Sequence, residues 1–436
     1  MQLIINKNLA NTKIEIYIVY FALFTISIIP LLGFDRETNF NLFTIIVTML
    51  CMLSQKISFN LFIVFLPIPF VSTIGSFNLN LLDIISFFLL LHLFITKQKP
   101  IPKKFIWFDN LLILYYLFSL IIIINSSSIN IAVIIRYIIE PLIVYFSAKI
   151  LINSKKDLLL IAKLLIVGTL FSSLVCIYQF TNIFNLEAWQ KQYMFMINYG
   201  IYPDLSASYR KENIFYRRPG GFFQYGAELA TFIPIVFFFI LYLIKENKFK
   251  RIKFFLFCII LAILFTALVL TTVRGMVFAF IISVIAYILI NSKNRILTFL
   301  ILPIVIFITS YNLMPQYMID RYLLRAKVET MYTRIGLAKE SLSEINNIQT
   351  LLIGTTDPKS HNKFVDELHA KGIFGLIIYL ALQLKLFKYS LNKRKRLFLF
   401  PLLIFWLAVS FTTGAPYGTF HTHFLFPIVL IMSIIV

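Results

Sequence analysis

The sequence has few charged residues, few cysteines and none of the common nucleotide-binding motifs. Only 14% of its 436 residues are charged while 60% are hydrophobic, and a water-soluble protein of this length could not bury so much apolar surface. Its 3 cysteines all lie within apolar runs, so we expect neither a disulfide nor a metal cluster. It contains no P-loop, no Rossmann fingerprint and no Asp-x-Asp pair, so we expect no nucleotide, metal or other cofactor.

Long apolar runs recur along the whole chain. A run of about 20 residues is long enough to cross a hydrocarbon core about 30 Å thick. The runs do not alternate as barrel strands would, so they predict an all-α polytopic membrane protein with about 14 (12–14) transmembrane helices. The predicted spans are 14–33, 40–54, 58–72, 80–96, 105–125, 129–149, 157–183, 223–244, 253–271, 275–291, 296–313, 373–388, 397–412 and 420–436.

The net charge of +21 is unevenly placed. Lys and Arg cluster at every second junction between the predicted spans, for example at 97–104, 245–253 and 388–396. The positive-inside rule therefore puts both termini on the cytoplasmic side of the membrane. Because this placement accounts for the basic surplus, we expect membrane lipids and no nucleic acid as partners.

Two long segments fall on the outer side of the membrane in this topology. They are residues 184–222 and residues 314–372, and the second includes a predicted helix at 333–345. We find no internal repeat and no soluble domain, so residues 1–436 are predicted to form one integral membrane domain. Loops of this kind often carry function on a rigid helical scaffold.

Arginines and glycines mark two candidate sites. The segment YRRPGGFF carries Arg217, Arg218, Gly220 and Gly221 just before a predicted span. Adjacent glycines let the backbone approach a ligand closely, and a helix start offers N–H groups to an anion. The alternative is a basic anchor at the membrane interface. Just inside this span, Glu228 could hold an arginine or contact an acceptor.

A second candidate is Arg274, in the turn TTVRG at the outer face. An ionisable group near membrane depth is a functional candidate, although its side chain could simply reach the headgroups. Arg334 is a further cation of the second outer loop, for which a solvated helix face is the alternative.

The third candidate is the stretch HNKFVDELHAKGIFG at 361–375. A histidine side chain titrates near neutral pH and can accept a proton from an attacking hydroxyl, which makes His361 a candidate base, whereas a lone loop histidine is more often just solvated. Asn362 and Glu367 lie beside it.

Together these segments resemble the O-antigen ligase and polymerase superfamily of bacterial inner-membrane glycosyltransferases. The stretch from His361 to Gly375 looks like the superfamily pattern HN-x-[FY]-x-x-x-L-x-x-x-G-x-x-G, and the Arg218-PGGFF and TTVRG segments precede it in the same order. The resemblance covers roughly the half of the chain after residue 210. It differs at Val273, where the superfamily often has Ser, and at 224–226.

The resemblance implies a GT-C-like architecture and a metal-independent transfer from an undecaprenyl-pyrophosphate-linked glycan to a sugar hydroxyl, on the outer side. In this view Arg217, Arg218, Arg274 and Arg334 bind the pyrophosphate. His361 is the general base, with Glu367 as its alternative. Asn362, Gly220, Gly221 and Glu228 support the site. A flippase and a chain-length regulator are possible partners.

Three functions remain open from the sequence. The leading one is a polymerase that extends an O-antigen or capsule-type polysaccharide. An O-antigen ligase that transfers the finished glycan to lipid A-core would use the same residues. A polysaccharide transporter or flippase is the third alternative, but it predicts binding residues near the bilayer midplane, whereas these candidates gather at one face.

Overall fold

The computed structural model describes most of the predicted helices and part of the outer loops. The described residues are 14–25, 29, 36–68, 71–74, 77–95, 107–124, 134–181, 209–211, 214–216, 221, 226–246, 251–271, 273–291, 328–354, 362–391 and 399–412. Four predicted site residues (Arg217, Arg218, Gly220 and His361) lie outside them, as do the predicted spans 296–313 and 420–436.

The described chain is helical, apart from two short hairpins. The helices are α1 (Ile14–Thr25), α2 (Arg36–Leu53), α3 (Gln55–Phe65), α4 (Leu81–Ile95), α5 (Trp107–Ile124), a π-helix (Ile135–Ile139) continued by α6 (Glu140–Leu151), α7 (Lys155–Thr181), α8 (Gly226–Glu246), α9 (Arg251–Leu270), α10 (Arg274–Asn291), α11 (Val328–Ser343), α12 (Ile348–Ile353), α13 (Lys363–Ser390) and α14 (Leu399–Thr412). The antiparallel hairpins pair β1 (Val71–Ile74) with β2 (Phe77–Asn80), and β3 (Tyr209–Lys211) with β4 (Ile214–Tyr216). The predicted helical fold class is confirmed, and the hairpins are an addition to it.

One predicted span is wrong as a continuous helix. The prediction placed a single helix over 58–72, but α3 ends at Phe65 and the chain enters strand β1 at Val71. Pro67 and Pro69 explain the difference, because a proline has no N–H to continue the helical hydrogen bonds. The 11 residues of α3 extend only about 16 Å at ~1.5 Å per residue.

The chain divides into two compact units. The first comprises Met1–Pro102 and Ile143–Leu229. Its core surrounds α3, whose side chains from Ile57 to Phe65 are all buried and which packs against α2, α4 and α7. Gly168 of α7 allows a close approach, since a Cβ there would lie 2.3 Å from the carbonyl oxygen of Val64.

The second unit comprises Lys103–Leu142 and Ala230–Val436. Helix α13 is central to it and packs against α5, α11, α12 and α14, while α10 packs against α14. Phe237 of α8 and Phe280 of α10 meet edge to face, with ring centroids 4.9 Å apart. The helix predicted at 333–345 is confirmed as α11.

Two stretches of the described residues are long and apolar enough to cross a membrane, judged by length and composition. They are Lys156–Phe180 in α7 and Lys363–Ser390, which is α13. In the other apolar helices, the stretches whose side chains are also described are 10–17 residues long, for example Glu228–Ile244 in α8 and Phe254–Leu270 in α9. The predicted number of spans therefore stays a prediction.

Candidate functional site

The candidate site is the polar half of α13, which begins immediately after Asn362. The Asn362 side-chain oxygen Oδ1 accepts hydrogen bonds from the backbone N–H groups of Phe364 (3.0 Å) and Val365 (3.3 Å). Asn362 is therefore the N-cap of α13 and satisfies two of the N–H groups that a helix start leaves open. It therefore fixes the start of α13, and it follows His361 directly in the sequence.

Glu367 lies at the centre of a buried ion-pair cluster. Its side chain is 2% exposed, and Lys363 and Lys371 flank it one helical turn before and after. The Nζ atom of Lys363 lies 2.6 Å from Glu367 Oε1, and that of Lys371 lies 3.0 Å from Oε2. The Lys371 contact with Oε2 is an ion pair without hydrogen-bond geometry. Two ammonium groups at this distance favour the ionised carboxylate.

Tyr115 of α5 completes this cluster from a distant part of the chain. Its hydroxyl donates a hydrogen bond of 2.8 Å to Glu367 Oε1. The Nζ atom of Lys371 donates to the same hydroxyl and lies 3.8 Å from the centre of the Tyr115 ring. We call Tyr115, Lys363, Glu367 and Lys371 the α13 cluster. Because its carboxylate is held by three groups, Glu367 is better suited to orient α13 than to accept a substrate proton.

A sharp bend separates the polar half of α13 from its apolar half. Gly372 interrupts the helix with φ 63° and ψ −170°, a conformation that is essentially restricted to glycine. A Cβ at Gly372 would lie 2.3 Å from the Leu352 carbonyl oxygen at the end of α12. Gly354, with φ 90°, directly follows α12 and is equally close to the bend, because a Cβ at Gly354 would lie 2.5 Å from the Gly372 nitrogen. Two glycines therefore allow α12 to contact the bend.

A second polar contact anchors the same half of α13. His369 is buried, and its Nε2 atom lies 2.7 Å from Oε2 of Glu344, in the turn after α11. Neither residue was among the sequence candidates. This pair and the α13 cluster fix the polar half of α13 against two neighbouring segments.

The structure also gives positions for two of the predicted arginines. Arg274 is the first residue of α10 and is partly exposed. Val273 precedes it directly, and the Val273 carbonyl accepts hydrogen bonds from the N–H groups of Met276 and Val277 in the first turn of α10, at 3.0 and 3.1 Å. Arg334 lies in α11, where its backbone alone is described. The helix dipole does not favour a cation at a helix N-terminus, so the dipole does not explain why an arginine stands at position 274.

Gly221 and Glu228 belong to the first unit. The side-chain amide of Gln179, on α7, clamps Gly221: its Oε1 accepts from the Gly221 N–H at 3.0 Å and its Nε2 donates to the Gly221 carbonyl at 2.7 Å. With φ 65°, Gly221 sits so close to α7 that a Cβ would lie 2.4 Å from the Ser172 carbonyl oxygen. The sequence predicted that the backbone at this glycine approaches a ligand closely. In the structure the close approach is to helix α7. Glu228 is buried in the first turn of α8.

Sequence reasoning found the carboxylate of the α13 cluster but missed its partners. The spacing of Lys363, Glu367 and Lys371 places all three on one helix face, so this part was detectable. Nothing in the sequence singled out Tyr115 from the other aromatic residues of its span. Among the described residues, no group of three or more His, Cys, Asp or Glu side chains could hold a metal ion.

No family model matches the chain, and no curated protein matches it. Any assignment of function therefore has to be argued from the residues described above.

Proposed function

We propose that this chain is a membrane glycosyltransferase that polymerises a polysaccharide of the O-antigen or capsule type. The donor is a glycan linked to undecaprenyl pyrophosphate, and the acceptor is a sugar hydroxyl at the outer face of the membrane. The observation that carries the proposal is the stretch from His361 to Gly375, which matches the superfamily pattern at every specified position.

An apolar stripe on α13 supports the membrane part of the proposal. Beyond the bend, Ile373, Ile377, Leu380, Leu384 and Phe387 recur at helical spacing, and all are exposed, Leu384 by 69%. Water-soluble proteins rarely expose a continuous apolar face of this length. Lipid acyl chains would cover the stripe, and α13 would then enter the membrane just after its polar half.

The proposed reaction is a displacement at the anomeric carbon of the donor. The acceptor oxygen forms a bond to that carbon while the bond from the carbon to the pyrophosphate oxygen breaks. Undecaprenyl pyrophosphate leaves with the bonding electrons, and the acceptor proton passes to His361. Arg217, Arg218, Arg274 and Arg334 keep the role predicted for them, as cations that stabilise the negative charge of the leaving pyrophosphate.

Reconstituted protein tests this proposal directly. The purified chain in lipid nanodiscs would be mixed with undecaprenyl-pyrophosphate-linked repeat units, and product length would be followed by mass spectrometry. We expect a ladder of lengthening glycans without added metal or nucleotide. His361→Ala should lower the rate by about 10²–10⁴-fold, the usual contribution of a positioned base. His421→Ala is the matched control, because the superfamily pattern does not include His421.

The same question can be asked in the source cell by deleting the gene. A surface glycan reduced to one repeat unit indicates a polymerase, whereas full-length glycan that stays on undecaprenyl pyrophosphate indicates the ligase. An unchanged glycan ladder on its usual carrier would refute the proposed enzyme class. Full transfer activity of His361→Ala would refute the assignment of His361 as the general base.

A further inference from the structure

Tyr115 is the only member of the α13 cluster that does not belong to α13. The contacts of Lys363 and Lys371 with Glu367 join residues four apart on one helix. Such contacts stabilise the helix itself but cannot set its position relative to another helix. The hydrogen bond from Tyr115 to Glu367 joins residues 252 positions apart, so it can fix α13 relative to α5.

Tyr115 also contacts α13 on both sides of the bend at Gly372. Its hydroxyl binds Glu367 and Lys371, before the bend. Its ring lies 6.5 Å from the ring of Tyr379, after the bend. Tyr379 in turn meets Phe364 of the polar half, with ring centroids 6.0 Å apart. One side chain of α5 therefore holds both halves of the bent helix.

We infer that Tyr115 is a positioning residue for the transfer reaction: its hydroxyl holds the Glu367 carboxylate and thereby fixes the polar half of α13, which begins at Asn362 beside the proposed base. This inference rests on the proposed function. A base must lie within hydrogen-bond reach of the proton that it removes, and a misplacement of ~1 Å can lower a rate about 10²-fold. The region of superfamily resemblance does not include Tyr115.

Tyr115→Phe tests the inference because it removes the hydroxyl and keeps the ring. Tyr116→Phe is the matched control: it removes the same atom from the next residue, whose hydroxyl makes no hydrogen bond within the described part of the chain. In nanodiscs we expect Tyr115→Phe to lower kcat about 10-fold, the effect of losing a hydrogen bond to a charged group. KM for the lipid-linked donor should stay within about twofold, and Tyr116→Phe should resemble the wild type.

Two further readouts separate positioning from general stability. If Tyr115 acts through Glu367, the double variant Tyr115→Phe/Glu367→Gln should be no slower than Glu367→Gln alone. Hydrogen–deuterium exchange should accelerate at backbone amides 364–371 in Tyr115→Phe and not in Tyr116→Phe. A purely structural role would reduce the amount of folded protein and leave kcat of the folded fraction unchanged.

The outcomes are distinct. Equal kcat in the two tyrosine variants, or effects that multiply in the double variant, would overturn the inference. If the wild type shows no transfer, the proposed function fails. Hydrogen exchange then decides by itself whether Tyr115 fixes the polar half of α13, and unchanged exchange in Tyr115→Phe overturns that role.

Discussion

Replacing Gly372 by alanine tests the bend that separates the two halves of α13. Alanine would have to adopt φ 63° and ψ −170°, which costs about 1–3 kcal/mol in a residue with a Cβ. The new Cβ would also lie 2.3 Å from the Leu352 carbonyl oxygen and 2.6 Å from the Ile353 nitrogen. Both are backbone atoms of α12, so the clash is relieved only if the backbone of α12 or of α13 moves.

The two effects together give the expected magnitude. Overpacking of this kind typically costs about 1–3 kcal/mol. We therefore expect Gly372→Ala to lower the free energy of unfolding by roughly 2–6 kcal/mol, the sum of backbone strain and clash. The polar half of α13 would shift with α12, so transfer activity should fall as well.

Gly336 provides the matched control. It lies within α11, and a Cβ there would meet no atom within 4 Å. Gly336→Ala should stabilise the protein by up to ~1 kcal/mol, since alanine favours the helix more than glycine does. Both variants restrict the unfolded chain equally, so the difference between them reports on the folded state.

Thermal midpoints of the purified variants would measure this difference, for example by fluorescence-detected size-exclusion chromatography after heating. We expect a lower midpoint for Gly372→Ala and an equal or higher one for Gly336→Ala, relative to the wild type. If the two variants had the same midpoint, the bend at Gly372 and its contact with α12 would be refuted.

Three other contacts can be tested by the same thermal measurement. Asn362→Ala removes the N-cap of α13 and should lower the free energy of unfolding by about 1 kcal/mol, whereas Asn362→Asp should keep most of it. Gln179→Leu removes both hydrogen bonds to Gly221 and should cost about 1–3 kcal/mol. Gln179→Glu should cost more, because it places a buried carboxylate oxygen against the Gly221 carbonyl oxygen to which the Gln179 amide donates. Glu344→Leu removes the carboxylate that pairs with His369 and should lower the midpoint, while Glu344→Gln should restore part of it. Equal midpoints within a pair would contradict the contact concerned.

Local sequence pattern was sufficient to predict several of the described helices. Apolar runs at 80–96, 105–125 and 253–271 were predicted as spans and agree with α4, α5 and α9 to within two residues. The charged helix at 333–345 was recognised as well, because helical periodicity is a property of neighbouring residues. The pattern could also place Lys363, Glu367 and Lys371 on one face of a helix.

Where a helix ends was harder to predict. Hydropathy continues through Pro67 and Pro69 into β1, so the apolar content of the run at 58–72 did not show that α3 stops at Phe65. The proline pair was visible, but apolar content outweighed it in the prediction. Hydropathy reports how apolar a segment is and carries no information about backbone hydrogen bonds.

The sequence alone therefore determined that the chain forms apolar helices, that its cations cluster at alternate junctions, and that a superfamily-like pattern begins at His361. The packing of distant segments establishes that Tyr115 binds Glu367, that Gln179 binds Gly221, and that Gly354 contacts Gly372. The physical reason is distance along the chain. Helix formation and charge placement depend on residues a few positions apart, whereas these contacts join segments that only packing brings together, and the pattern within either segment does not specify the partner.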